Sequence, residues 1–234
     1  MNKKIALAIA TLFAFLVSSI AAWADPVETY LGIKARNPAG VVAAMDNFFA
    51  TNAAKGSKVY LVRAVFDGDD PATHVLVSDF DSYTGYEEMV GKRMRSEAWG
   101  DAMAAVMASS EVLRNGFGVI RANYGEGWPE RDNFVMVFSV QVQDAQAYAK
   151  AFGKLAKSEV GQQAPGITRL MENRSAGAAP SHFVIMSAPS FSALNNHLDA
   201  MFASNAYEDF NDDVKKIRTV VGTATYRKVK AWTK

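Results

Sequence analysis

One stretch of the sequence occurs twice, and that repeat restricts the chain to folds built from two copies of one unit. Residues 73–106 (THVLVSDFDSYTGYEEMVGKRMRSEAWGDAMAAV) align without a gap to residues 181–214 (SHFVIMSAPSFSALNNHLDAMFASNAYEDFNDDV) at a constant offset of 108. His74 falls on His182, Ser82 on Ser190, Ser96 on Ser204 and Asp101 on Asp209. Where the letters differ, size and polarity are kept: Tyr83 matches Phe191, Val90 matches Leu198, Met94 matches Phe202 and Trp99 matches Tyr207. Each copy reads as a strand, a turn and a long helix.

The flanks extend the pattern. Residues 29–36 (TYLGIKAR) read as a strand, and Asn37-Pro38 supplies a helix cap and a proline at the first helical position. Val41, Val42, Met45, Phe48 and Phe49 then form one apolar stripe that stops near Lys55-Gly56. Residues 58–66 (KVYLVRAVF) are rich in β-branched and aromatic side chains and read as a second strand, joined to a third at 74–80 by the turn formers of 67–71. The next helix starts near Ser82 and breaks at Ser96, as its counterpart breaks at Ser204, because a serine hydroxyl accepts from the free amides of a new helix start. A strand at 116–124 closes the unit, and the polar segment 122–132 (ANYGEGWPERD) reads as a linker. A second set follows: strand 133–141, a helix capped by Asp144, strand 166–172, a turn at 177–180, strand 181–188, the broken helix, and a strand at 219–232.

A βαββαβ order places four antiparallel strands in one sheet with both helices on one face. Strands such as the one carrying Phe134, Met136 and Phe138 on one alternation and Val135 and Val137 on the other are apolar on both sides, so the bare face also needs a cover. The other copy supplies it. The expected fold is α+β: two tandem ferredoxin-like βαββαβ domains, 25–124 and 133–234 with a linker at 125–132, packed sheet to sheet as a pseudo-two-fold α/β barrel.

The run Ser190-Phe191-Ser192-Ala193-Leu194-Asn195-Asn196-His197-Leu198, with Ala203-Ser204-Asn205-Ala206-Tyr207 and Phe210 behind it, resembles the dimeric α/β-barrel superfamily in tandem form. It is most similar to the antibiotic-biosynthesis-monooxygenase-like branch, which often shows a histidine before a small-residue break and an aromatic after it. The resemblance implies a wide choice of roles: cofactor-free oxygenases, haem-degrading and chlorite-dismutase-like haem enzymes, isomerases and stress proteins share the fold. The tryptophan often found at the end of the third strand in the oxygenases is replaced here by Phe80 and Ala188. The helix over 145–155 carries no histidine that could serve as a haem ligand.

The first residues give an address. Lys3 and Lys4 precede an apolar run over 5–20, and Ala22-Trp23-Ala24 is a small-x-small site before Asp25, the pattern of a cleavable signal peptide over 1–24 and of export to a periplasm. Cysteine is absent, which removes disulfides and thiolate metal sites and leaves stability to packing. Without Lys3 and Lys4, two of the 25 basic residues, 23 remain against 24 acidic ones. So even a balance gives no support to nucleic-acid binding or to an anionic membrane surface.

Three histidines are available. His74 and His182 start equivalent strands, on the alternation shared with Leu76, Ser78 and Phe80 or with Val184 and Met186; the purely apolar alternation is expected on the helices, which turns both imidazoles toward the barrel interior. There they either serve a ligand or a proton transfer, or only cap a strand beside a turn. His197 sits on a helix of the second copy, where the resemblance puts a pocket histidine and the first copy has Met89. Arg63 and Arg169 lie in second strands, and with Lys34 and Arg121 they would make a polar cavity for a carboxylate or phosphate, unless they are solvent-facing edge positions. Tyr60, Tyr86, Trp99 and Tyr207 read as core or as an aromatic cage. No phosphate loop, nucleophile elbow, H-E-x-x-H or calcium loop occurs.

These readings predict a periplasmic protein, a monomer with an internal pseudo-dimer or a homodimer, that binds a small, partly apolar organic ligand in an interior barrel pocket without cofactor or metal. The alternatives are a cofactor-independent oxygenase or isomerase with His197, His74 or His182 as proton carrier, and a structural or partner-binding protein.

Overall fold

The computed structural model describes residues 25–68, 70–175 and 180–234. The expected signal peptide and most of the expected turn at 177–180 lie outside the described residues. In chain order the elements are β1 (Val27–Ala35), α1 (Pro38–Ala50), β2 (Lys58–Phe66), β3 (His74–Phe80), α2 (Tyr83–Met94), α3 (Glu97–Ser109), β4 (Ser110–Tyr124), β5 (Phe134–Val142), α4 (Ala145–Ala156), α5 (Glu159–Gln162), β6 (Thr168–Asn173), β7 (His182–Ala188), α6 (Phe191–Phe202), α7 (Asn205–Val214) and β8 (Arg218–Thr233).

Side-chain caps set the helix starts. Asn37 accepts from the Gly40 amide with Pro38 in the first turn, and Ser82, Asp144 and Ser190 each accept from the amide three residues on. The two expected breaks are real and have one cause, because Ser96 takes the Trp99 amide and Ser204 the Tyr207 amide to begin new helices. Four-residue α5 and the 3-10 turn at Asn52–Ala54 were not expected, since so few residues carry no readable period.

All neighbouring strands are antiparallel, and they close into one barrel in the order β1-β3-β2-β8-β5-β7-β6-β4. Each half contributes four strands, β4-β1-β3-β2 and β8-β5-β7-β6, and backbone hydrogen bonds join the halves at β2–β8 and at β4–β6. The halves therefore satisfy each other's sheet edges as well as covering each other's faces.

The outer face of the barrel carries the helices. In the first half Ile33, Leu61 and Leu76 pack on Val41, Met45, Phe48 and Val106; in the second Val140, Leu170 and Met186 pack on Tyr148, Phe152, Leu194, Leu198 and Phe210. Each such buried side chain contributes about 1.5–3 kcal/mol. The inner face holds Val62, Val75 and Tyr226 in one cluster and Val135, Met171 and Ile185 in another, and the linker residue Trp128 packs against both. Its ring meets Tyr60 edge-on at 5.7 Å, and Tyr30 meets Phe183 at 5.9 Å. Gly116 of β4 has no side chain to obstruct Tyr30, whose ring occupies the space a Cβ would need. Valines, aromatic rings and Trp128, from the segment between β4 and β5, thus occupy much of the space expected for an interior pocket, and cavities lie between sheet and helices and at the barrel end.

Candidate functional site

The paired histidines do not face the interior. His74 shares its alternation with Leu76 and Phe80, which pack on the helices, while Val75 and Val77 point into the barrel. His182 lies 6.3 Å from the Tyr148 ring of α4. Both alternations of these strands are apolar, so hydrophobicity alone could not tell which side meets the helices. Each histidine belongs instead to a clasp repeated in both halves. Thr73 Oγ1 accepts from the Ala35 amide at 2.9 Å and lies 2.9 Å from His74 Nδ1; Ser181 Oγ accepts from the Val142 amide at 2.8 Å and lies 3.0 Å from His182 Nδ1. The hydroxyl ties the end of the first strand of each half to the start of the third. Burial holds both imidazoles below the ordinary histidine range, and nearby Arg63 adds to the effect at His74.

The basic residues do not converge either. Arg63 and Lys34 are exposed, and Arg121 pairs with Asp25 at 2.9 Å and Glu172 at 2.6 Å. Arg169 is buried inside the barrel, where its Nη1 donates to Glu28 at 2.7 Å and its Nε to Asn123 at 3.0 Å. Asp79 Oδ1 stands 3.6 Å from Arg169, an ion-pair rather than a hydrogen-bond distance, and its Oδ2 accepts from the Tyr60 hydroxyl at 3.1 Å. These are cross-strand neighbours, Glu28 opposite Asp79 and Asn123 opposite Arg169. Burial, and then the nearby Asp79, push the Glu28 carboxyl up to about 8, so it is largely protonated at neutral pH. Tyr60 is raised for the same reasons. Two carboxyls, one guanidinium and one phenol neutralise one another here, which makes the cluster a structural centre. A hollow of about 500 Å³ at the linker touches Arg169 and Trp128 from the barrel end.

Two cavities lie between sheet and helices, one in each half. The first, about 470 Å³, is bounded by Leu31, Leu76 and Phe80 of the sheet, Phe117 of β4, and Tyr86 and Trp99 of the helices. Tyr86 and Trp99 share this cavity, while Tyr60 packs on Trp128 inside the barrel and Tyr207 lines the cavity of the other half, so the four rings do not come together in one cage. Arg93, in the last turn of α2, also lines it and is only 6 % exposed. Its guanidinium carbon is 4.6 Å from the Trp99 ring centre and 5.8 Å from that of Phe80. Its Nε and Nη2 find no hydrogen-bond partner among the described residues. Burial alone pushes this guanidinium down to about 10. Sequence reading passed over Arg93, although a signal existed: Tyr86, Val90 and Arg93 fall on one helix face, and the second copy places Met201 at the matching position.

The second cavity is smaller, about 160 Å³, and is lined by Phe138, Tyr148, Phe152, His197, Met201 and Tyr207 among others. His197 is 8 % exposed, its Nε2 has no partner among the described residues, and burial lowers its pKa, so it is neutral at pH 7. Tyr207 and Trp99 hold the matching positions that the repeat predicts, one in each cavity wall. His74 and His182 line neither cavity.

No protein-family profile and no curated relative matches the chain. Solved structures do. A provisionally named monooxygenase from Lactobacillus acidophilus NCFM superposes with a TM-score of 0.62 at 14 % identity, covering 89 % of this chain and 96 % of the other. Another from Fusobacterium nucleatum subsp. nucleatum ATCC 25586 gives 0.62 at 13 % identity, covering 91 % and 96 %. An anthrone oxidase-like protein gives 0.56 at 14 %, covering 88 % and 92 %. The fold is thus the closed α/β barrel that these structures share. Haem, one of the groups the resemblance implies, does not fit these two cavities: the larger has no histidine on its wall, and the one with His197, at about 160 Å³, is below the roughly 300–1,000 Å³ of sites for ligands of drug size. Among the described residues no three His, Asp or Glu side chains group as metal ligands, and no helix is long and apolar enough to cross a membrane.

Proposed function

We propose that this is an exported protein of two tandem ferredoxin-like units, 25–124 and 133–234, that binds a small, largely apolar organic molecule between the sheet and helices of the first unit. One observation carries the reading: the cavity of about 470 Å³ walled by Phe80, Tyr86, Trp99 and Phe117 has the size of a small-molecule site and is lined with rings. Native mass spectrometry of the exported protein, purified without a metal-affinity tag, tests it against V90W, which fills that cavity. The expected result is an added mass that leaves on activation in the wild type and is missing in V90W. An adduct unchanged in V90W refutes the site. The same spectrum reads whether residues 1–24 have been removed.

A second reading is a cofactor-independent oxygenase, with His197 taking a proton from an activated carbon. It is supported by the unpartnered, neutral imidazole on the wall of the second cavity and by a fold shared with proteins named as monooxygenases and as anthrone oxidase-like. Oxygen uptake with an anthrone as substrate should fall about a hundredfold or more in H197Q. Turnover that H197Q leaves unchanged removes this reading.

A further inference from the structure

The first cavity has an anion receptor, and we propose that its ligand is an aromatic acid whose carboxylate, or an equivalent planar oxyanion, sits on Arg93. This rests on the reading of that cavity as a ligand site and adds the class of ligand. Arg93 is more than nine-tenths buried, yet no carboxylate approaches it among the described residues; its charge is met only by the faces of Trp99 and Phe80. Contacts to ring faces leave the in-plane N–H donors of a guanidinium unanswered, and unanswered buried donors are costly. Those donors form a fork suited to two parallel hydrogen bonds to one carboxylate. Around the fork the wall is aromatic, with Tyr86, Trp99 and Phe117 placed to receive a ring, so one molecule with an apolar body and an acidic end would satisfy both parts.

The other half supplies the internal control. At the position of Arg93 it has Met201, and the cavity there is about 160 Å³ instead of about 470 Å³. The same helix in the same fold therefore forms without a cation, so packing of the helix does not require the arginine. R93M transplants the second half's solution into the first.

Isothermal titration with naphthoate and with its neutral analogue naphthyl methyl ketone tests the proposal. The wild type should bind naphthoate at least about tenfold more tightly than the ketone. R93M should lose that preference, binding the two probes with affinities within about twofold of each other. The comparison of the two probes on the wild type needs no variant, so it holds even if R93M folds poorly. Equal affinity for both probes in the wild type, or a preference that survives in R93M, overturns the anion assignment and leaves the cavity as a site for neutral ligands. Binding of neither probe to the wild type overturns the assignment together with the reading of the cavity on which it rests.

Discussion

Glu28→Gln should change the pH dependence of stability while leaving the fold in place. In the barrel interior Glu28 accepts from Arg169 at 2.7 Å and lies opposite Asp79, and burial with the Asp79 charge raises its carboxyl from 4.5 to about 8. Between those two values the unfolded chain has released the proton and the folded chain has kept it. A raised carboxyl therefore contributes its full stability below pH 4.5 and loses it as pH climbs through about 8. The loss runs at up to about 1.4 kcal/mol per pH unit, with a ceiling on the order of 5 kcal/mol across the window. Glutamine mimics the protonated acid, keeping an acceptor for Arg169 and a donor for Asp79, but it does not titrate. Urea unfolding of both proteins from pH 4 to 9 isolates this cluster, because titrations of groups that do not touch Glu28 cancel in the difference. At pH 4 the two should agree within about 1 kcal/mol. The variant should then gain steadily on the wild type up to pH 8 and level off. A difference that stays flat over that range would refute the protonated Glu28 and the charge assignment of the whole cluster.

Other outcomes follow from the packing. W128A removes the ring that both inner clusters share and should cost about 2–4 kcal/mol in urea unfolding, even though the residue lies in the linker; a change under about 0.5 kcal/mol would deny it a structural role. T73V and S181A each remove one hydroxyl clasp and should each lower stability by about 1–2 kcal/mol, in similar amounts because the two halves use the same bonds. A marked inequality between them would mean that one histidine clasp has another role.

Features written in single residues were legible beforehand, and features that depend on which face meets which were not. Ser82, Ser96, Ser190 and Ser204 announced four helix starts because a cap is a local device that works wherever the chain places it. The repeat gave the order of elements along each half, βαββαβ, but not the order of the strands across the sheet. By contrast His74 and His182 were turned to the wrong side, since Leu76 and Val75 are equally apolar and only the finished barrel decides which of them meets a helix. Trp128 was hidden in a polar linker, where its neighbours Gly127 and Pro129 advertise a turn and nothing reveals that the ring enters the barrel. The four basic residues looked like a group in one dimension, but Arg169 points inward while Arg63 and Lys34 meet solvent. Arg93 needed only a comparison between the copies: an arginine stands on an apolar stripe where its repeat has a methionine.

The methionines offer the most direct test of where the ligand goes. Met45 and Met103 line the first cavity, Met186 and Met201 line the second, and Met171 lies inside the barrel. With ¹³C-methyl methionine, one titration with naphthoate followed by NMR separates the three locations in a single spectrum. The account predicts that the Met45 and Met103 methyls shift together and saturate while Met171 stays in place. Saturating shifts at Met171 with Met45 and Met103 unmoved would contradict it and return the ligand to the barrel interior.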